Sequence, residues 1–127
     1  MSAEQELQRQ CMQWLAVQHP NVMAVASMNG MSLGDARKNP AIYSYVAKMK
    51  ECGMKRGFPD LQLFWPGGHV LFVEMKAPKE KPEPHQLELH DQLRRLGHTV
   101  AWTDSFDGFV KIVNGFAPGL RPLPANG

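Results

Sequence analysis

Residues 57–76 of the chain have the sequence GFPDLQLFWPGGHVLFVEMK, which contains the most informative structural pattern of the chain. Two apolar runs, 61–65 and 69–76, are separated by Pro-Gly-Gly at 66–68. Apolar runs joined by a short connection that contains glycine are typical of a β-hairpin. The stretch therefore predicts two strands joined by a tight turn.

The length of this turn determines which residues of the two strands face each other. If the turn has three residues, Trp65 lies opposite His69 and Asp60 lies opposite Glu74. Directly opposed residues share a face of the sheet, with Cβ atoms about 5 Å apart. Lys76 follows on the same face, because side chains alternate along a strand. The predicted hairpin thus gathers two acids and an amine at one end of the sheet, whereas a one-residue slip would move Asp60 to the other face.

The second predicted strand is apolar on both faces until Glu74, which indicates a strand covered on both sides. Glu74 is then expected at the rim of a core, where an acid needs a partner. Two carboxylates this close also repel unless a cation lies between them. A hard cation with oxygen ligands is one such partner. A structural ion pair is the alternative, and the spacing alone does not decide between them.

The helix predicted after Pro84 can add a polar side chain to these acids. Its apolar face contains Leu89, Leu93 and Leu96, and Gln86 belongs to the same face. The amide could orient a water or a substrate phosphate. It could equally be a partly exposed glutamine at the end of a helix.

The first predicted helix can contribute an acid. Glu4 lies on the face that carries Leu7 and Cys11, whereas Glu6 lies off that face. Glu4 could reach a metal at the acid pair, directly or through water. An acid stabilised by the positive end of the helix is an equally natural interpretation.

Hydrophobic periodicity and turn residues predict the other elements around the hairpin. The resulting order, α-β-α-β-β-α-β-α, is that of an α/β domain with a small mixed central sheet flanked by helices. Residues 1–116 are assigned to this domain, and 117–127 to a Pro/Gly-rich tail. The predicted elements are a helix at 3–18, a strand at 22–27, a helix from Asn39-Pro40 to Gly53, a helix from Pro84 to about Leu96, a strand at 99–102, and a helix to about Val113 capped by Asp104 with Asp107.

Composition and charge limit the possible functions less than these motifs do. The chain has 127 residues, 43% of them hydrophobic, and a net charge of +2. That is enough for one compact core. It contains no run of about 20 apolar residues, as a membrane helix would need, and no glycine-rich loop for a nucleotide cofactor. The first residues do not resemble an export signal and the two cysteines are not at metal-ligand spacing, so we expect a cytoplasmic protein with reduced thiols.

Basic residues are concentrated ahead of the acid pair. Six fall within twenty residues, and such a surface beside acidic residues suits a polyanionic substrate. A solvated helix face is the alternative. The six are Arg37, Lys38, Lys48, Lys50, Lys55 and Arg56.

Taken in order, these motifs resemble the PD-(D/E)XK nucleases, and more closely their virus-type replication-repair (VRR-NUC) domains. The matching features run from residue 4 to about 113. They are Glu4-x-x-x-Gln8, the Asn29-Gly30 loop, Gly53-x-x-x-Gly57-x-Pro59-Asp60, Glu74-x-Lys76, the downstream Gln86 and the segment Leu96-Gly97-His98-Thr99-Val100.

The resemblance implies a restriction-endonuclease-like core that hydrolyses DNA with Mg²⁺ or Mn²⁺. It implies that Asp60, Glu74 and the backbone carbonyl of Met75 ligate the metal, with Glu4 as a further ligand, direct or through water. Lys76 would position or activate the attacking water, and Gln86 would orient Lys76 or the phosphate. Contacts to DNA are expected from Asn29, Lys48, Lys50, Lys55 and Arg56.

Short, stand-alone members of this family resemble Holliday-junction resolvases, which act as homodimers. The resemblance therefore implies branched or junction DNA as the substrate and a second copy of the chain as the partner. The chain shows no fused accessory region, so we expect this minimal type. The alternatives are a catalytically silent DNA-binding or assembly module on the same fold and a sequence-specific restriction endonuclease.

Overall fold

The computed structural model describes residues 1–27 and 39–117. Within these ranges the helices and strands follow the predicted order. The helices are α1 (Ala3–Gln18), α2 (Pro40–Glu51), α3 (Pro84–Arg95) and α4 (Phe106–Phe116), and the strands are β1 (Met23–Ala26), β2 (Leu61–Trp65), β3 (His69–Met75) and β4 (Thr99–Thr103).

The strands of the described ranges form one sheet in the order β1-β2-β3-β4. β1, β2 and β3 are antiparallel neighbours, whereas β3 and β4 are parallel. Parallel strands need a crossover connection, and α3 provides it. The result is a mixed α/β fold with a small central sheet, which confirms the predicted fold class.

The register of the hairpin is the predicted one. Trp65 pairs with His69 and Leu61 pairs with Val73. Asp60 and Glu74 are the next opposed positions, directly beyond the last pair. Gly67 and Gly68 both have positive φ, 87° and 80°, a conformation that glycine adopts without steric cost. The Pro-Gly-Gly sequence therefore accounts for both the turn and the register.

Hydrophobic residues cover β3 on both faces, as its sequence predicts. On one face the larger core joins the sheet to α1 and α4, with Leu61, Leu71 and Phe109 fully buried. On the other face a smaller cluster forms around Phe72, Leu93 of α3 and Val100. No helix of the described ranges has the length and apolar character needed to span a bilayer.

Two local predictions are wrong. Leu96 is 75% exposed, because α3 ends at Arg95 and its buried residues are His90 and Leu93. The cap of α4 is Ser105, whose Oγ accepts from the N–H of Gly108 at 3.0 Å. Asp104 instead accepts from the N–H of Lys79, at 2.9 Å. The predicted tail lies, from residue 118 onward, outside the described residues.

Candidate active site

Hydrogen bonds connect Asp60 to both neighbours of β2, the end of β1 on one side and β3 on the other. Its carbonyl oxygen accepts from the N–H of Ser27, at 2.7 Å, just after β1. Its Oδ2 accepts from the N–H of Met75, at 2.8 Å, in β3. The hydroxyl of Ser27 also donates to the carbonyl of Pro59, at 3.0 Å. These bonds fix the Asp60 carboxylate at the end of the hairpin, beside Glu74.

The loop that leads into Asp60 depends on Gly57. Its φ is +84°, and a Cβ on this residue would lie 2.9 Å from Cδ2 of His85 and 3.4 Å from Cα of Gln86. Only glycine combines this backbone conformation with so close an approach. Gly57 therefore lets the Asp60 loop pack directly against the first turn of α3.

Glu74 lies in β3 and is only 2% exposed. Its Oε2 accepts from Nε2 of Gln86, at 3.1 Å. The Oε1 of Gln86 accepts from the N–H of Glu83, at 2.7 Å, at the start of α3. Because that backbone group is a donor, the amide nitrogen of Gln86 must face Glu74. The helix cap thereby orients the amide toward the carboxylate.

The site favours the protonated form of its acids. Burial, followed by the charge of Glu74, raises the pKa of Asp60 to about 7. Burial also raises the pKa of Glu74. The nearby ammonium of Lys76 acts in the opposite direction on both pKa values. Lys76 is 9% exposed, so a nearly buried cation adjoins a carboxylate pair that it does not fully neutralise.

The structure brings Glu4, and not Glu6, toward these acids. Burial and the charge of Asp60 raise the pKa of Glu4, while the charge of Lys76 lowers it. Glu6 instead accepts from Arg9, with 3.0 Å between Oε2 and Nε of the arginine. Glu4, Asp60, Glu74, Lys76 and Gln86 therefore share one region of the molecule.

The donor set suits a hydrated hard cation. Among the residues with described positions, no three His, Cys, Asp or Glu side chains converge closely enough to hold a metal by themselves. Mg²⁺, however, is commonly bound through one or two carboxylates and keeps several waters. Asp60 and Glu74 provide such a pair, and the buried Oε1 of Glu74 has no hydrogen-bond partner. A cation here would satisfy that oxygen and relieve the repulsion between the acids.

Met75 contributes through its backbone, because its side chain is fully buried in the larger core. Its N–H holds Asp60, and the next residue, Lys76, donates its N–H to the carbonyl of Thr103, at 2.9 Å. The parallel pairing with β4 thus extends to the end of the hairpin that carries the acids. This pairing fixes the chain between Glu74 and Lys76.

Sequence reasoning missed His90, which is fully buried on α3. Its Nε2 lies 3.8 Å from Oε1 of Glu74. Burial, followed by the charge of Arg94, lowers its pKa and so favours the neutral ring. The available signal was helical spacing: His90 comes four residues after Gln86 and three before Leu93, and therefore lies on the buried face.

The predicted DNA contacts are only partly within the described residues. The basic side chains at the end of α2 and in the loop before Gly57 are all exposed, and Asn29 lies outside the described ranges. The exposed set is Lys48, Lys50, Lys55 and Arg56.

Known proteins resemble this chain in sequence and in fold. The sequence pattern of the VRR-NUC domain matches residues 2–107. A protein of Acyrthosiphon pisum secondary endosymbiont phage 1, named "Putative nuclease p44", is 51% identical over 53 residues. That match spans 42% of this chain and 57% of the phage protein.

Two solved structures share the fold. One, named as a VRR-NUC domain, is 23% identical, with a TM-score of 0.61 over 90% of this chain and 97% of that structure. The other, named as a VRR-NUC domain protein, is 20% identical, with a TM-score of 0.69 over 93% of this chain and 90% of that one. With most of its length matched by the domain pattern, the chain belongs to the VRR-NUC family of nuclease domains.

Proposed function

We propose that the protein is a metal-dependent DNA endonuclease whose active site is the Asp60–Glu74 pair. One observation carries the proposal. Two adjacent, largely buried carboxylates have raised pKa values, and a buried oxygen of Glu74 lacks a hydrogen-bond partner. Natural proteins rarely leave such groups unpaired unless a ligand completes the site.

In this proposal Asp60 and Glu74 hold Mg²⁺ or Mn²⁺ with the carbonyl of Met75, and Glu4 adds a contact through water. When bound, the cation polarises the phosphate, lowers the pKa of its water and offsets charge on the leaving oxygen. Gln86 fixes the orientation of Glu74 through its 3.1 Å hydrogen bond. Lys76, a nearly buried cation beside both acids, positions the attacking water and stabilises the developing negative charge.

The substrate class follows from the charges around the site. The exposed basic residues of α2 and the next loop precede Gly57, which packs against the start of α3. Lysine and arginine in such an arrangement bind the phosphate backbone without reading sequence. This supports DNA as the substrate. Cleavage of branched DNA is the finer part of the proposal and draws on the resemblance to resolvase-like members of the family.

A homodimer is the proposed assembly, because cutting two strands of a junction needs two sites. An exposed apolar surface on β1 and β2 supports it. Met23 is 65% exposed and Val25 39%, and Phe64, the partner of Met23 in the sheet, is 38% exposed. A second copy that covers this surface would bury all three side chains. Light scattering of the purified protein should give twice the mass of the chain.

A cleavage assay with defined DNAs tests the proposal. Labelled four-way junction, flap and linear duplex are incubated with the protein in Mg²⁺, Mn²⁺ or EDTA. We expect metal-dependent cutting, fastest on the junction, which Lys76→Ala abolishes and Asp107→Asn, at an exposed acid of α4, retains. Cutting that Lys76→Ala leaves intact would reject the site. DNA binding without cutting under every condition would instead favour the silent module.

A further inference from the structure

His90 is a buried polar side chain that the site has not yet explained. It is 0% exposed and lies in the middle of α3. Neither ring nitrogen has a hydrogen-bond partner within residues 1–27 and 39–117. A neutral imidazole always carries one N–H donor, and a buried donor without a partner destabilises the folded state. A leucine at this position would bury no unpaired polar atom, so packing alone does not explain a histidine here.

The polar atom that faces the ring is equally unsatisfied. Oε1 of Glu74 is buried, has no hydrogen-bond partner and lies 3.8 Å from Nε2 of His90. A water that bridged the two atoms through hydrogen bonds of about 2.8 Å would need an acute angle of about 85° at its oxygen, so direct contact is the less strained arrangement. A shift of about 1 Å brings the two atoms to hydrogen-bonding distance. The two unpaired groups therefore complement each other directly.

The neighbouring turn of the helix already shows the same kind of contact. Gln86 donates to Oε2 of Glu74, and His90, one turn later on the same face, points its Nε2 at the other oxygen. A carboxylate accepts about four hydrogen bonds or ligands in its plane. Two donors from α3 would still leave acceptor positions on both oxygens for a cation.

We propose that His90 is a positioning residue, whose Nε2–H donates to Oε1 of Glu74 and, together with Gln86, fixes the plane of the carboxylate toward the metal. This inference rests on the proposed metal-dependent function. Partners that orient a ligating group in this way raise metal affinity, and their loss typically costs 10–100-fold. The tautomer follows from the geometry, because a lone pair on Nε2 would face a carboxylate oxygen.

Substitution of His90 by each of the two amide residues distinguishes a positioning role from a role in packing. The amide nitrogen of glutamine reaches the place of Nε2, whereas that of asparagine reaches only the place of Nδ1. Both amides are polar and neutral. We expect His90→Gln to keep the dissociation constant for Mn²⁺ within about threefold, and His90→Asn to weaken binding about 10–100-fold. Gln92→Leu, an exposed change on the same helix, should have no effect.

Calorimetric titration of Mn²⁺ into each folded variant gives these constants without using activity. Equal Mn²⁺ affinity for His90→Gln and His90→Asn would overturn the positioning role. A second readout needs no metal: the ¹⁵N NMR spectrum of the histidine side chains in EDTA should show the His90 proton on Nε2. A proton on Nδ1 would overturn the inference. Failure of the unmutated protein to bind Mn²⁺ would reject the metal site, and with it the positioning role.

Discussion

The carboxylate of Asp60 accepts a hydrogen bond from the backbone N–H of Met75, at 2.8 Å. This bond ties the acid before β2 to the residue that follows Glu74 in β3. The hairpin therefore holds its two acids together through the main chain, and an amide at position 60 can preserve the same contact without the charge.

Asp60→Asn should abolish cleavage and keep the fold. The asparagine oxygen still accepts from Met75, but the position loses the negative charge that binds a cation. We expect a loss of at least about 100-fold in cleavage rate, measured on labelled DNA in Mg²⁺, with the circular dichroism spectrum unchanged. Asp91→Asn, at an exposed acid of α3, is the control. Equal rates for Asp60→Asn and the unmutated protein would exclude Asp60 from the site.

The metal-free protein should become less stable as the pH rises from about 4 to 7. Asp60 has a folded-state pKa of about 7 against an ordinary 3.8. The folded state therefore binds more protons than the unfolded state in this window, and the free energy of unfolding falls as the pH rises. Urea denaturation in EDTA at pH 5 and pH 7.5 measures the difference.

Asp60→Asn should reduce this pH dependence, and Glu74, whose pKa is also raised, accounts for part of the remainder. Mn²⁺ at pH 7.5 should restore stability to the unmutated protein by binding only the folded state. A metal-free protein that gains stability from pH 5 to 7.5 would contradict the raised pKa values of the two acids.

Two substitutions of Gln86 distinguish the effects of its hydrogen bonds to Glu74 and to the N–H of Glu83. Glutamate at this position can still accept from the N–H of Glu83, but it cannot donate to Glu74 and adds a repulsive charge. Gln86→Glu should therefore lower the cleavage rate by about tenfold or more while retaining the helix cap. Gln86→Ala loses both contacts, so it should also lower the free energy of unfolding by about 1 kcal/mol. Cleavage assays and urea denaturation distinguish the two variants.

Gly57→Ala should impair both stability and cleavage. Gly53 provides the matched control, because its φ is also positive, +106°, but a Cβ there meets nothing within 4 Å. Gly53→Ala should cost about 1 kcal/mol of backbone strain alone. Gly57→Ala adds the contact with His85 and should displace the Asp60 loop, so its loss of cleavage should exceed that of Gly53→Ala. Equal activities would show that the loop adapts.

Neutral substitutions of the basic residues that precede Gly57 in the sequence should change the salt dependence of DNA binding. Each phosphate contact contributes about 0.9 to the slope of log affinity against log salt concentration. Lys55→Gln combined with Arg56→Gln should lower the magnitude of that slope by about 0.9 for each of the two residues that contacts a phosphate. Lys111→Gln, at an exposed lysine of α4, should leave it unchanged. Fluorescence anisotropy in EDTA measures binding without cleavage, and an unaltered slope would place the DNA elsewhere.

The hairpin could be predicted because residues close together in the sequence determine its turn and its register. The Pro-Gly-Gly turn fixes the register, and the register alone places Asp60 opposite Glu74 and Lys76 on the same face. The roles of these residues remain predictions, since geometry brings them together without showing what they do. Glu4 needed the tertiary structure, because its helix could have been rotated or displaced relative to the sheet.

The errors have a different origin. Leu96 was assigned to the buried face because it is apolar, whereas α3 ends at Arg95 and leaves it in solvent. His90 lies on the buried side although it is polar. In both positions tertiary packing outweighed residue type. Ser105 caps α4 because the loop after β3 uses Asp104 instead, a contact between segments that local sequence patterns do not reveal.

The short connection between β2 and β3 also bears on the order in which the site forms during folding. Asp60 and Met75 are only fifteen positions apart in the chain, and hairpins of this kind close within about 1–10 μs. The parallel pairing of β3 with β4 forms later, because the α3 crossover lies between the two strands. Closing this longer loop has a larger entropic cost. The acids therefore belong to the fastest-forming part of the sheet, and Gln86 and His90 reach Glu74 only when the slower crossover has docked.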